Sequence, residues 1–287
     1  MFLSACLDLL PEESGAPGFA HYSSRAKAAE DAGLDVLILG RETAGGIAPG
    51  RLEALVTMPW IAGVARRAAV VGVLPALHSV PFHVARALSA IDFLSDGRTG
   101  WMPAVPGGDR FDHAYGPAYT LPAGETVAKY DDFIRATQAL WDSWDDDALV
   151  LDKDRGEYLD STKVRRVAYE GPYFSTMGPL NAARPPQGHP LLFREGISAA
   201  TTPADVRLAA ADETASGAVF VKTDLAGLTG TLKGEPSALG IHLTGNPSAA
   251  DIAAARAIMP AASAVSGTLR DRLGLARPIN PFTKAAL

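Results

Sequence analysis

Ala69–Val105 reads AVVGVLPALHSVPFHVARALSAIDFLSDGRTGWMPAV. Its opening, Ala69–Leu74, is apolar and rich in β-branched residues without alternation, the pattern of a strand buried on both faces. Phe82–Leu94 follows as a helical segment, and Thr99–Val105 as the next strand. The same rhythm extends both ways. Strands are predicted at Phe2–Leu7, Leu34–Leu39, Pro190–Phe193, Ala218–Val221 and Ala238–Leu243. Helices are predicted at Phe19–Ala32, Leu52–Arg67, Thr126–Trp144, Pro203–Glu213 and Ser248–Met259, with Gly33 at the stop of the first. Strand-helix alternation implies βα units and a parallel sheet. A TIM-type α/β barrel in one domain, residues 1–287, is the expected fold. Seven strands are counted, and a complete barrel needs eight, so one strand is hidden in the pattern or the barrel is reduced.

Asp145–Gln187 breaks the rhythm. It is polar and rich in Asp, Arg, Tyr, Gly and Pro, and is expected to leave the barrel as a long excursion after the fourth strand and its helix, with a hairpin around Val167–Phe174.

Composition narrows the function. The chain has 287 residues, 47% hydrophobic and 20% charged, enough for a sizeable core and incompatible with global disorder. A net charge of -6 argues against nucleic acid or an anionic membrane as partner. The single cysteine, Cys6, cannot form an internal disulfide, which makes the cytoplasm the default compartment. The start, MFLSACLDLLPEESG, has no basic region and no cleavage motif, and reads as a first strand. No stretch reaches the roughly 18 apolar residues that span a bilayer.

In such a barrel the active site lies at the C-terminal ends of the strands. The candidates there are Asp8, Arg41, Glu42, His78, residues 102–109, residues 194–198, Lys222, Thr223 and residues 242–246. His78 suits a general base or a ring-stacking wall, beside the plainer reading of a hydrogen-bonded loop histidine. Gly107-Gly108-Asp109 reads as a close backbone approach or an ordinary turn. Gly196-Ile197-Ser198 offers backbone N–H groups and a hydroxyl, a pattern that suits a phosphate or an ordinary helix cap. Asp145-Asp146-Asp147 reads as a solvated acidic run, since no His or Cys stands near to complete a metal site. Trp141 and Trp144 share a helical face and should pack on the core or the excursion. Walker loops, Gly-x-Ser-x-Gly elbows and Cys-x-x-Cys pairs are absent.

Phe93-Leu94-Ser95-Asp96-Gly97-Arg98-Thr99-Gly100-Trp101 resembles the fourth-strand signature of the bacterial luciferase-like superfamily, closest to its nitrilotriacetate monooxygenase and pristinamycin synthase branch. Leu140–Trp144, Gly171–Phe174, Gly178–Leu180, Pro186–Gly188 and Thr268–Leu275 resemble further motifs of that branch in the same order. The resemblance implies a two-component flavin monooxygenase. Such an enzyme takes reduced FMN from a separate flavin reductase and oxidises a small organic substrate with dioxygen. It also implies a homodimer, for which the alanine-rich helices Leu52–Arg67 and Phe82–Leu94 are suited. Carried over residue by residue, Tyr130 falls on a flavin-contacting tyrosine and Ser198, beside Gly196, on a phosphate-contacting serine.

Other positions depart. Arg41 replaces an acid, Val105 a hydroxyl residue, Thr126 a histidine and Met102 an asparagine. Leu225–Pro236 stands where the family has a much longer stretch. These departures imply weakened or lost FMN binding. They leave two alternatives, a non-catalytic flavin-binding or accessory protein of the superfamily and a relative using the deazaflavin F420.

Overall fold

The computed structural model describes residues 1–7, 19–40, 52–105, 114–116, 121–122, 124–197, 199–211, 213, 217–235, 237–261 and 266–283. The strands are β1 (Phe2–Cys6), β2 (Val36–Leu39), β3 (Ala69–Pro75), β4 (Thr99–Ala104), β5 (Leu149–Asp152), β6 (Glu157–Leu159), β7 (Tyr169–Glu170), β8 (Ser175–Thr176), β9 (Leu191–Glu195), β10 (Val206–Ala210), β11 (Ala218–Thr223) and β12 (Gly240–Leu243). The helices are α1 (Phe19–Asp31), α2 (Ala54–Val64), α3 (Pro81–Leu94), α4 (Thr126–Trp141), α5 (Leu228–Gly234), α6 (Ala249–Ile258) and α7 (Leu269–Arg272). Eight strands close a parallel barrel in the order β1-β12-β11-β10-β9-β4-β3-β2.

The eighth strand is β10, inside the segment Pro203–Glu213 where the sequence pattern predicts a helix. Chain length explains the difference. Only residues 211–217 separate β10 from β11, its parallel neighbour. Seven residues reach about 25 Å when extended. Returning along a five-residue strand already takes about 17 Å. No helix fits in what remains. Alanine favours helix as a local preference, and pairing with β9 and β11 overrides it.

Alternation along the strands sorts the two cores. Phe2, Ile38, Val71, Phe193, Leu208 and Phe220 fill the barrel interior, with Phe193 edge-on to Phe220 at 6.2 Å. Large rings need small neighbours. A Cβ on Gly240 would stand 2.8 Å from the Phe220 ring, and one on Gly100 2.9 Å from Phe193. The outward residues Leu37, Val70, Trp101, Leu192 and Ile241 pack against the helices.

The excursion adds two hairpins, β5–β6 and β7–β8, of which the second lies where the sequence predicts one. It is fastened to α4, where Asp132 accepts from Tyr173 N and Phe174 N at 2.8 Å and from the Tyr169 hydroxyl. Trp141 Nε1 donates to Ala85 O and Trp144 Nε1 to Leu180 O of the excursion, so both are buried as expected, although the helix ends at Trp141 and Trp144 lies beyond it. The acidic run does not behave as a solvated one throughout. Asp145 is buried and accepts from Arg165 at 2.8 Å and Thr283 at 2.6 Å, because the returning excursion brings Arg165 onto it.

Candidate functional site

α4 carries two predicted residues on one face. Thr126 is half-buried at its first turn, and Tyr130 stands one turn on, fully buried. Burial holds the Tyr130 phenol above its ordinary pKa, although Arg194 beside it pulls the other way. The hydroxyl is therefore neutral and able to donate at physiological pH. Arg194, on the outer face of β9, lies with Nε 3.4 Å from the Tyr130 oxygen and with its guanidinium 5.5 Å from the ring centre. It also donates to Thr202 O. Arg194 is 7% exposed, yet no carboxylate among the described residues pairs with it. Sequence reading places Arg194 at a strand end without giving it a role. Its lack of a carboxylate partner among the described residues is visible only in the fold.

Beyond Arg194 the chain turns at Gly196, whose φ of +72° belongs to the left-handed region that glycine enters without strain. The loop that follows is pinned from α4. Asp131 accepts from Thr201 N and Oγ1 at 2.7 Å and from Thr202 N at 3.0 Å. Burial pushes its carboxyl up, but these hydrogen bonds outweigh burial and bring it down to about 2. Asp131 thus stays ionised and committed to the loop, rather than to Arg194. Ser198 lies outside the described residues, as do Asp8, Arg41, Glu42 and the Gly107–Asp109 turn.

His78 sits in the turn Ala76–His78 after β3, and α4 packs against that turn. Its ring stacks on Tyr115 with centres 4.4 Å apart and planes 22° apart. Val105 follows β4, half-buried against the helix-facing core. The structure therefore brings Tyr130, Arg194 and Gly196 together, with Thr126 and the His78 turn along the same helix.

Inside the barrel mouth sequence reading assigns no roles, and the structure gathers Ser4, Glu195, Lys222 and His242 there. Among the described residues no group of three or more His, Cys, Asp or Glu is arranged to hold a metal ion. None of their helices is long and apolar enough to cross a membrane.

The sequence profile of the luciferase-like monooxygenase family matches residues 1–225. The chain is 34% identical to one of the pristinamycin IIA synthase subunits of Streptomyces pristinaespiralis over 263 residues, 88% of this chain and 87% of that one. It is 30% identical to N-acetyl-S-(2-succino)cysteine monooxygenase of Bacillus subtilis (strain 168) over 183 residues, 62% of this chain but only 42% of that protein. The crystal structure of a long-chain alkane monooxygenase superposes with a TM-score of 0.64 at 19% identity, covering 81% of this chain and 58% of that one. The chain thus spans nearly the length of the pristinamycin synthase relative and less than two thirds of the other two.

Proposed function

This chain belongs to the luciferase-like monooxygenase family, and we propose that it acts as a flavin-dependent monooxygenase component. It holds reduced FMN delivered by a separate flavin reductase, and a small organic substrate is oxidised with dioxygen. Arg194 carries this reading. A buried guanidinium with no carboxylate among the described residues is costly until an anion completes it. A phosphate monoester suits the donors present: the planar fork of Arg194, the neutral hydroxyl of Tyr130 and the turn at Gly196, with Ser198 two residues on. Asp131 keeps its own charge on the loop and away from that anion.

When bound, reduced FMN supplies the electrons that activate dioxygen. The protein's part is to fix, orient and keep dry. Arg194 and Tyr130 hold the phosphate end. Arg41, Val105 and Thr126 take the ring end, where Val105 offers packing and no hydrogen bond. His78, flat against Tyr115, serves as a wall of the site. The phosphate end then supplies most of the affinity, and FMN is held weakly enough to exchange with a reductase.

Flavin-fluorescence titration tests this. FMN is expected to bind, and riboflavin, which lacks the phosphate, at least about ten-fold more weakly. Arg194→Gln is expected to weaken FMN about ten- to hundred-fold while leaving riboflavin unchanged. Equal binding of FMN and riboflavin refutes the reading. Tighter binding of F420 than of FMN assigns the deazaflavin alternative.

A second reading rests on Met102 and Val105, which leave the described end of β4 without a polar side chain. It makes this chain an accessory flavin-binding protein, in keeping with a relative named as one component of a synthase. Oxygen uptake with a reductase and an oxidisable substrate separates the two. For assembly we propose a homodimer through α2 and α3, where Val56 is 72% and Leu94 69% exposed.

A further inference from the structure

α1 and the start of α6 enclose a cavity of about 270 Å³ that the flavin reading does not use. It lies outside the ring of strands. Leu3, Ala5 and Leu7 turn to the helix-facing core, and Leu7 lines the cavity. His21, Arg25 and Ala29 recur at helical spacing on α1 and line it from one side, and residues 246–249, leading into α6, line it from the other. Two observations set it apart from a packing gap. His21 Nε2 is buried and has no hydrogen-bond partner among the described residues. Buried polar atoms are paired as a rule, so an unpaired one on a residue that lines a cavity calls for a ligand atom. Arg25 is half-buried, and its partner is neutral: Nη2 donates to Asn246 Oδ1 at 2.6 Å. No carboxylate among the described residues pairs with this guanidinium, and its fork keeps further N–H donors.

We infer that this cavity binds a small organic monocarboxylate, its carboxylate on Arg25 and His21 Nε2 and its hydrocarbon against Leu7, Ala29 and Pro247. Charge and shape select the class. A fixed cation without a carboxylate favours an anion. His21, in the tautomer with its hydrogen on Nε2, donates a second hydrogen bond to the same group. The i,i+4 spacing puts the two side chains about 5–6 Å apart at Cβ, within reach of the two oxygens of one carboxylate. Asp251, the acid at the start of α6, is committed to Ser248 N and Oγ. Leu7, Ala29 and Pro247 are buried and apolar, which favours a hydrocarbon tail over a second charge. Pockets for drug-sized molecules begin at about 300 Å³, so a cavity of about 270 Å³ keeps that tail short. Ala28 and Asn246, which also line it, are exposed and open it to solvent.

Ligand-observed NMR titration with butyrate, butyramide and inorganic phosphate tests the site. Butyrate is expected to bind about ten-fold or more tightly than butyramide, which has its shape without its charge, and than phosphate, which has no tail. Arg25→Gln should erase the preference for butyrate over butyramide, and Arg25→Lys, which keeps the charge, should retain it. Ala28→Phe crowds the cavity from an exposed helix position and should abolish butyrate binding with the arginine in place. Arg194→Gln should leave the butyrate preference unchanged, because that guanidinium belongs to the flavin site. The inference is overturned if butyrate does not bind, if butyrate and butyramide bind alike, if the preference survives in Arg25→Gln, or if it disappears in Arg194→Gln. Failure of FMN to bind, with the butyrate preference intact, overturns the flavin reading and leaves this cavity site standing.

Discussion

Burial at the end of α3 pushes the Asp92 carboxyl from its ordinary 3.8 up to about 6, against hydrogen bonds from Gln187 and Thr99. The folded state then holds this proton more tightly than the unfolded chain. Its contribution is complete below about pH 4 and is lost as pH rises through 6, a swing of about 3 kcal/mol. Urea unfolding should show wild-type stability, minus that of Asp92→Asn, falling between about pH 4 and pH 6 and level above; a constant difference contradicts this. Tyr130→Phe removes one donor from the Arg194 site and should weaken FMN about five-fold, read by fluorescence titration. Tyr130, Gly196 and the turn of His78 are legible as single residues from the strand-end rule and the family motifs. Arg194 is not, because what marks it is that no carboxylate among the described residues pairs with it, and a pairing partner far along the chain cannot be seen in a linear pattern. Lys222 and His242 are legible as strand ends only, since their adjacency comes from register.

At the scale of elements, α4 is the strut of the site, and Asp131 is its joint with the β9–β10 loop. The Asp131 carboxyl lies at about 2, below its ordinary value, so its contribution stands above about pH 4 and is lost as pH falls towards 2. Asp131→Ala leaves two backbone N–H groups without their acceptor and should cost about 1–3 kcal/mol, measured by thermal unfolding at neutral pH. FMN affinity should fall with it, although Asp131 does not touch the anion. Helix positions are readable where periodicity and caps agree, as at α6, where Ser248 and Asp251 form a capping box. β10 is not readable because Ala209-Ala210-Ala211 carries a helical preference that the short crossover forbids. The β5–β6 hairpin escapes for a related reason: its strands are four and three residues long and largely exposed, with too little alternation to stand out.

At the scale of the molecule, a dimer through α2 and α3 would bury Val56 and Leu94 against a second copy. Val56→Asp with Leu94→Asp should give a monomer by light scattering without unfolding the barrel, and a wild-type monomer at micromolar concentration contradicts the proposal. The barrel wall is not equally thick. α1, α2, α3 and α4 back the strands from β1 to β4, while residues 196–217, on either side of β10, include no helix among those described. A sheet backed by loops has fewer layers to hold its amides shut. Deuterium should therefore enter β10 sooner than β3 and β4, a difference that mass spectrometry of exchanged peptides resolves. Glu195 and Lys222 ride on the two strands that flank β10. Breathing of β10 would loosen the ion pair between its two neighbours before the rest of the barrel gives way.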